Sequence, residues 1–465
     1  MSSNTPALLE GATRTLAEFA SGVAFDDLPK QVVARMKTSL LDSIGCCLFG
    51  ATLPWTQRVQ AMVEEEGARP VASIFGSGRR TSVAGAVLVN ATAGHAFELD
   101  DIHKESIVHA GSIAVPVVLA FAEQKGKVSG RALLTAMATG YEIGTRVGNA
   151  ATMGLFFRGF HPQGASGVFV AAAAAARMLE LDATQTQHAL GIVGSQAGGL
   201  MAAQEGAMVK RFHSGRAAQS GVYSALLAQR GFTGIGDVLE AGYGGYLSSY
   251  SDKPNAPRLT DELGAVWEAG KVGYKPHACV TSIHSSLDAF RHLLDAHRLA
   301  PGDIERVDIG TSKMTFQHCA WEYKAQGVTA AQMNLFYGIA VMAYDGVAFV
   351  AQYAQDRLAE PRLLDFIGRV HAHVDDEIEG MGAAFRHAAR VKVTTRDGRS
   401  FSHEILNRRG SPENPMTPAD VEYKFRNVVA SCLSPAHIDR AIALVDRLEQ
   451  LDDTGELIAL LAAPR

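Results

Sequence analysis

VFVAAAAAARML, residues 168–179, is the stretch whose reading decides the fold. Alanine is the best helix former, and its small side chain lets neighbouring helices approach closely. The run is therefore expected to be a central helix in a helical body. Outward from it the same period recurs. Thr184–Gly199 and Arg216–Gln229 follow it; Ser82–Phe97, Ile113–Gln124 and Ser129–Val147 precede it, the last with Ser129 as candidate N-cap. Leu28–Phe49 spaces apolar residues by three and four (Val32, Val33, Met36, Leu40, Leu41, Ile44), with Pro29 in its first turn and Gly50 as a stop. Strand-like runs are few up to about residue 250; Val71–Phe75 (VASIF) is one.

The character changes after Gly270. Ile304–Thr311 alternates like a strand, and Arg390–Ile405 is two alternating runs around Asp397–Gly398, a hairpin signal. Helical stretches, Leu335–Asp345 and Val347–Asp356, lie between them. The tail, Pro418–Leu448, returns to helix, and its charges (Asp420, Glu422, Lys424, Arg426) read as a solvated face. The expected class is mainly α: an all-helical domain of residues 1–270 plus 406–465, interrupted by a smaller α+β unit, residues 271–405.

Composition bounds the function. The chain has 465 residues, 47% hydrophobic and 20% charged, which is enough apolar material for a large core. The net charge of −5 offers no basic surface for phosphates, so no nucleic-acid partner is expected. Five cysteines without C-x-x-C spacing argue against a disulfide framework, a zinc ribbon or an iron–sulfur cluster. The first twenty residues, with Glu10 and no sustained apolar run, carry no visible secretory signal. No apolar run reaches the ~18 residues of a membrane span, so no membrane partner is expected and the expected setting is a reducing cytoplasm.

Chemistry concentrates in a few segments. His95–Ser112 (HAFELDDIHKESIVHAGS) packs His95, Glu98, Asp100, Asp101, His103, Glu105 and His109 into fifteen positions. Crowded carboxylates raise one another's pKa, and imidazoles exchange protons near neutrality. Three readings stand: an exposed polar loop, a hard-metal site, and an acid/base loop in a cleft. RGFHPQG, residues 158–164, turns into the alanine-rich helix and puts His161 near a helix N-terminus, where imidazole tends to stay neutral. GAMVKRFHSG, residues 206–215, groups Lys210, Arg211 and His213, which in a cleft hold a carboxylate and otherwise form a solvated charge run. YKPHACVTSIH, residues 274–284, gathers Lys275, His277 and His284 at the junction of body and insert. Tyr337 in NLFYGI is a lone aromatic on a helix, usually core. Four loop-like segments pairing His with Lys or Arg suggest a cleft for a small polyanion.

These segments, in order, resemble the MmgE/PrpD family, which includes 2-methylcitrate dehydratase, cis-aconitate decarboxylase and iminodisuccinate epimerase. The resemblance rests on NATAGHAFELDD, VHAGS, GFHPQGASGVFVAAAAAARML, GSQAGGLM, GAMVKRFHSGRAAQSG, KPHACVTSIHSSLDA and GSPENPMTPADVEYKF. It implies an all-helical domain with an α+β lid, a homodimer, and no metal or organic cofactor. Family site positions fall on Glu98 to His109, His161, Lys210, His284 (with His277 a local competitor) and Tyr337. Two departures sit in the acidic loop: Glu98 where decarboxylase-like members have Asp, and Ile102 where a Thr follows the paired aspartates.

The expected activity is a cofactor-independent lyase acting next to a carboxylate of a small di- or tricarboxylate. A 2-methylcitrate dehydratase-like hydro-lyase comes first; a decarboxylase or an epimerase in the same site is the alternative. Lys210, helped by Arg211, would neutralise substrate charge. His161 and His109 would be base and acid, Asp100 or Asp101 would orient an imidazole, and Tyr337 would serve a leaving hydroxyl. Glu98, His213, Lys275, His277 and His284 are the further binding candidates. Two rival classes are a metal-dependent hydrolase built on Asp100, Asp101, His103 and His109, and a non-catalytic binding protein.

Overall fold

The alanine run folds as the helix Gly167–Met178, with every residue except Arg177 buried. This computed structural model describes residues 8–464, so the start of the segment read for a leader lies outside the described residues. Helices Gly130–Phe157 and Val209–Gln229 pack directly against the alanine helix. The contacts are too close for side chains on both partners. A Cβ at Gly144 would stand 2.0 Å from Val170 Cγ2, and one at Gly221 would stand 2.3 Å from Ala171 Cβ. Small residues on facing helices therefore set the spacing of the body.

Several boundaries move. Gly130–Phe157 continues well beyond Val147. Ala183–Gly194 ends before the expected Gly199, which lies beyond the helix with a positive φ of 112°. Val209–Gln229 starts earlier than Arg216, directly after the break at Gly206 (φ 144°). Lys210, Arg211 and His213 thus sit in the first turns of a long helix, held rigidly, rather than on a loop. Val347–Asp356 forms only short 3-10 turns, Val350–Tyr353 and Gln355–Arg357.

Helix makes up 59% of the structure, and the largest sheet has four strands, so the chain is mainly α. That sheet runs Val370–Val374, Ile304–Thr311, Ala389–Thr395, Ser400–Ile405, with the first pair parallel and the rest antiparallel. The hairpin closes at Asp397–Gly398 as its sequence requires, with Gly398 at φ 85°. Helix His284–His297 covers the sheet, and Leu287, Phe290 and Leu293 join Ile304, Val307, Val391 and Val393 in a second core.

The tail rejoins the body. Phe425 and Val429 of helix Pro418–Val429 belong to the first core with Leu40, Ile44 and Leu48. Lys424 corrects the reading of this helix as a solvated face: it is buried, pairs with Asp42 at 2.7 Å, and also donates to the Leu99 carbonyl. Among the described residues no helix is long and apolar enough to cross a membrane.

Candidate active site

The titratable residues of the acidic loop are buried except Glu105, which is exposed and pairs with Arg258. Helix Val83–Gly94 ends at His95, and the chain then passes through Glu98, Asp100 and Asp101 before helix Gly111–Lys125 begins. Lys424 pins this loop from below at Leu99, between the two functional carboxylates. Asp100 Oδ2 lies 2.7 Å from His95 Nδ1 and 3.2 Å from His109 Nδ1. Burial pushes the Asp100 carboxyl up, but the facing His109 and His95 outweigh it and hold it well below the usual range. Burial lowers His95 to about 3, so its ring is neutral at pH 7. Asp100 thus faces both rings with one carboxylate oxygen.

Asp101 does something else. Its carboxylate accepts from Tyr141 Oη at 2.7 Å and from the Gly111 N–H at 3.0 Å, which fastens the loop to the next helix. Burial raises it to about 8, so it is mostly protonated at neutral pH. Of the two aspartates expected to orient an imidazole, Asp100 contacts His95 and His109, and Asp101 does not. The crowding expected to raise all three carboxyls does so only at Asp101, because cations and imidazoles face the other two.

His161 caps the short helix Pro162–Ala165, and its Nδ1 lies 2.9 Å from His213 Nδ1. One of those two nitrogens must carry the hydrogen and the other accept it. Burial and then Lys210 hold His161 well below its usual range, while burial lowers His213 to about 4. Both rings are neutral at pH 7, as the sequence suggested for His161. His213 is a positioning residue for that ring. Gln163, next along, accepts from the His109 N–H at 2.8 Å and donates to the His109 carbonyl at 3.1 Å. It ties the two histidine segments together.

Glu98 is surrounded by cations. Its Oε1 accepts from Lys210 Nζ and from Arg211 Nη1 at 2.7 Å, and its Oε2 accepts from Lys275 Nζ at 2.8 Å. All four side chains are buried. Burial pushes the Glu98 carboxyl up, and Lys210, Lys275 and Arg211 overcome it, leaving it well below its usual range. Burial lowers Lys210 to about 8 even with Glu98 beside it. Arg211 reaches past Glu98 to Thr329 Oγ1 at 3.2 Å and Gln332 Oε1 at 3.1 Å.

Glu98, His109, His161, Lys210 and Lys275 open onto one cavity with about 50 Å³ of free space, room for a few water molecules. Ile102, Phe156, Met201, Met314 and Met333 form much of the remaining wall. The cavity also takes in Lys104, Gln204, His318 and His387, which sequence reasoning missed. His318 pairs with Gln204 Oε1 at 2.7 Å. His318 is isolated in its segment, whereas His387 follows Arg386 and so carried the same pairing of His with a cation that marked the other segments.

Asp100, Asp101, Arg211 and His213 stand behind the residues that line the cavity, and three further candidates, Tyr337, His277 and His284, lie away from it. Tyr337 donates to the Gln352 carbonyl at 2.8 Å and packs between Tyr323 and Tyr353 in the second core. Helix Leu335–Asp345 starts at its Asn334 cap, which turns Tyr337 into that core. His284 Nε2 donates to the Cys279 carbonyl at 3.1 Å. His277 Nε2 lies 2.7 Å from Asp288 Oδ1 and faces a separate surface groove. Of the three candidates in its segment Lys275 is the one that lines the cavity, together with Val280, Thr281 and Ser282.

The metal set read from the sequence is not assembled. Asp101 is held by Tyr141, and His103 by Ser106 at 3.0 Å and Glu268 at 3.1 Å. His95, Asp100 and His109 do bring ligand atoms within 4.8 Å of one another. Lys275 Nζ, 3.9 Å from Asp100 Oδ1, places a positive charge beside that trio and disfavours a second cation there.

Comparison with known proteins agrees with this arrangement. The MmgE/PrpD N-terminal domain matches residues 14–258, and the MmgE/PrpD C-terminal domain matches residues 277–450. The chain belongs to the MmgE/PrpD family. A cis-aconitate decarboxylase of Aspergillus terreus is 32% identical, over 98% of this chain and 96% of that protein. The cis-aconitate decarboxylase-like protein oryM of Aspergillus oryzae is 31% identical over 97% of each chain. A human cis-aconitate decarboxylase is 26% identical over 98% of this chain and 96% of its own length.

Proposed function

We propose that this MmgE/PrpD protein is a lyase that releases CO₂ from a small unsaturated polycarboxylate. The observation that carries the reading is the convergence of Lys210, Lys275, His109 and His161 on one buried cavity. The relatives named cis-aconitate decarboxylase support it across the whole chain.

Lys210 and Lys275 take the charge of substrate carboxylates. The C–C bond to one carboxylate breaks, CO₂ leaves, and the electron pair spreads over the neighbouring unsaturated acid as a dienolate. Fixed positive charge stabilises that dienolate, usually the largest single contribution to such a step. A proton from His109, which Asp100 orients, reaches the far carbon. His109 takes that proton back in the reverse direction, and His161, neutral and held by His213, is a second base facing the same cavity.

Decarboxylation is placed ahead of the dehydration first expected. Loss of hydroxide needs a donor to the leaving oxygen, and Tyr337, the residue expected in that role, bonds Gln352 away from the cavity. Epimerisation, the other alternative, uses the same base and acid without loss of CO₂.

The free volume is smaller than a di- or tricarboxylate, so residues 271–405 are proposed to act as a lid that opens for entry. A homodimer is also proposed. Phe157, Leu200, Met208 and Val209 are exposed large apolar residues, the first two next in sequence to the cavity residues Phe156 and Met201, and a second copy would cover them.

The test is incubation with cis-aconitate, citrate, 2-methylcitrate and iminodisuccinate in D₂O, followed by NMR. Release of CO₂ with deuterium at one product carbon, unaffected by EDTA, is expected. Activity lost to EDTA and restored by a divalent ion would transfer the chain to the metal-hydrolase class. Tight binding without exchange would make it a binding protein.

A further inference from the structure

We propose that His387, with Arg386 and Arg408 behind it, marks a carboxylate subsite: one arm of the substrate displaces the His387 ring and is bound by the two guanidinium groups. The inference rests on the reading of the cavity as a polycarboxylate site and adds a second anchoring point to that of Lys210 and Lys275.

Two buried cations here lack an acid partner. Arg408 is 2% exposed, and its Nε and Nη2 have no hydrogen-bond partner among the described residues. Its Nη1 reaches only the Tyr274 carbonyl, at 3.5 Å. Arg386 donates to the Ala383 carbonyl at 3.1 Å and to the Lys104 carbonyl, and its buried Nε is unpartnered. The acids whose charge acts on the two arginines, Glu105, Glu413 and Asp288, are paired instead with Arg258, Lys104 and His277. Burial lowers Arg408 to about 10, and Arg386 repels it, yet it stays charged at neutral pH. A buried charge without a partner is expensive, and a guanidinium pairs with a carboxylate through two parallel hydrogen bonds. A bound carboxylate is the partner these groups lack.

Their position ties them to the cavity. Arg386 bonds the carbonyl of Lys104, and Arg408 that of Tyr274, the residue before Lys275; both lysines line the cavity. His387 lines it too, and the charges of Arg386 and Arg408, after burial, hold its ring neutral. The other imidazoles of the wall are engaged: His109 with Asp100, His161 with His213, and His318 with Gln204. The His387 ring makes no hydrogen bond or ion pair among the described residues, and its Nδ1 is buried. The backbone beside it is fixed, because the Arg386 carbonyl accepts from Ser312 Oγ at 2.6 Å and from Thr315 Oγ1 at 2.8 Å. The free space of about 50 Å³ is smaller than the substrate, so part of the wall yields on binding. His387 yields without breaking a bond, and a carboxylate in its place meets Arg386 and Arg408.

Matched acids test this. cis-Aconitate is compared with three diacids. A methyl replaces the carboxymethyl arm in citraconate, the central carboxylate in 3-methylglutaconate, and the carboxylate on the vinyl carbon in ethylidenesuccinate. Dissociation constants are measured by calorimetry on wild type, Arg408→Gln, Arg386→Gln, the charge-conserving Arg408→Lys, and His387→Ala. Each Gln variant is expected to weaken cis-aconitate and two of the diacids at least tenfold, and the third, which lacks the arm bound there, less than twofold. Arg408→Lys should recover part of the lost affinity. His387→Ala, which removes the ring to be displaced, should bind cis-aconitate at least as tightly as wild type, and it decides if neither Gln variant folds. Equal weakening of all four acids, no weakening, or tenfold weaker binding by His387→Ala would overturn the proposal while leaving the lyase reading intact. Failure of all four acids to bind wild type would overturn the polycarboxylate reading and this inference with it.

Discussion

His109 Nδ1 stands 3.2 Å from Asp100 Oδ2, both buried, and the same oxygen lies 2.7 Å from His95. One carboxylate thus serves two imidazoles, of which only His109 opens onto the cavity. Asp100→Asn removes the carboxylate that both rings face while keeping the shape. It is expected to lower kcat by about 10²–10⁴, the range for a positioned acid–base group, with a smaller change in KM. Steady-state kinetics on the true substrate, with circular dichroism to confirm folding, checks it.

Lys210, lowered to about 8 by burial, loses its charge as the pH passes that value. Substrate binding should weaken above pH 8, seen as falling kcat/KM. Lys210→Arg, whose guanidinium stays charged, should abolish this alkaline limb even if its activity is lower. A kcat/KM profile from pH 6 to 10 for both proteins reads the difference.

Asp101 predicts a stability effect of defined sign. Its carboxyl is raised from 3.8 to about 8 by burial. Between these values the folded chain holds a proton that the unfolded chain has released. Stability contributed by this group is therefore full below about pH 4 and is lost as pH rises toward 8, with a slope approaching about 1.4 kcal/mol per pH unit. Asp101→Asn should remove that slope, so the difference in unfolding free energy between the two proteins should shift in the variant's favour as pH rises. Urea denaturation at a series of pH values measures it.

Lys424 links the tail helix to the site. Lys424→Met leaves Asp42 buried without its cation and frees the Leu99 carbonyl. Breaking such a pair costs about 3–5 kcal/mol. Lower thermal stability and lower kcat are expected together, since Glu98 and Asp100 flank the released carbonyl. Lys424→Arg should recover part of both.

The sequence carried the features that depend on near neighbours. The alanine run, the strand Ile304–Thr311 and the Asp397–Gly398 hairpin fold where their local patterns put them. His161, Lys210 and Lys275 could be nominated because each sits in a segment rich in basic groups. Which side chain faces the cavity could not be read the same way. Tyr337, His277 and His284 turn toward the second core or its groove, a consequence of how two distant cores meet. Asp100 and Asp101 are adjacent, yet opposite pointing gives them opposite roles. Glu98 meets Lys210 and Lys275 across more than a hundred residues of chain, so its role as their shared counter-ion had no local signal.

The central claim is that His109 and His161 handle a proton on the substrate carbon inside one cavity with Lys210. The most direct measurement is NMR of the turnover of an accepted polycarboxylate in D₂O by wild type, His109→Ala and His161→Ala, each confirmed to fold. Wild type should place deuterium at a single carbon of the product, and each variant should lose at least about two orders of magnitude in rate. Near-wild-type deuterium incorporation in both variants would contradict the account.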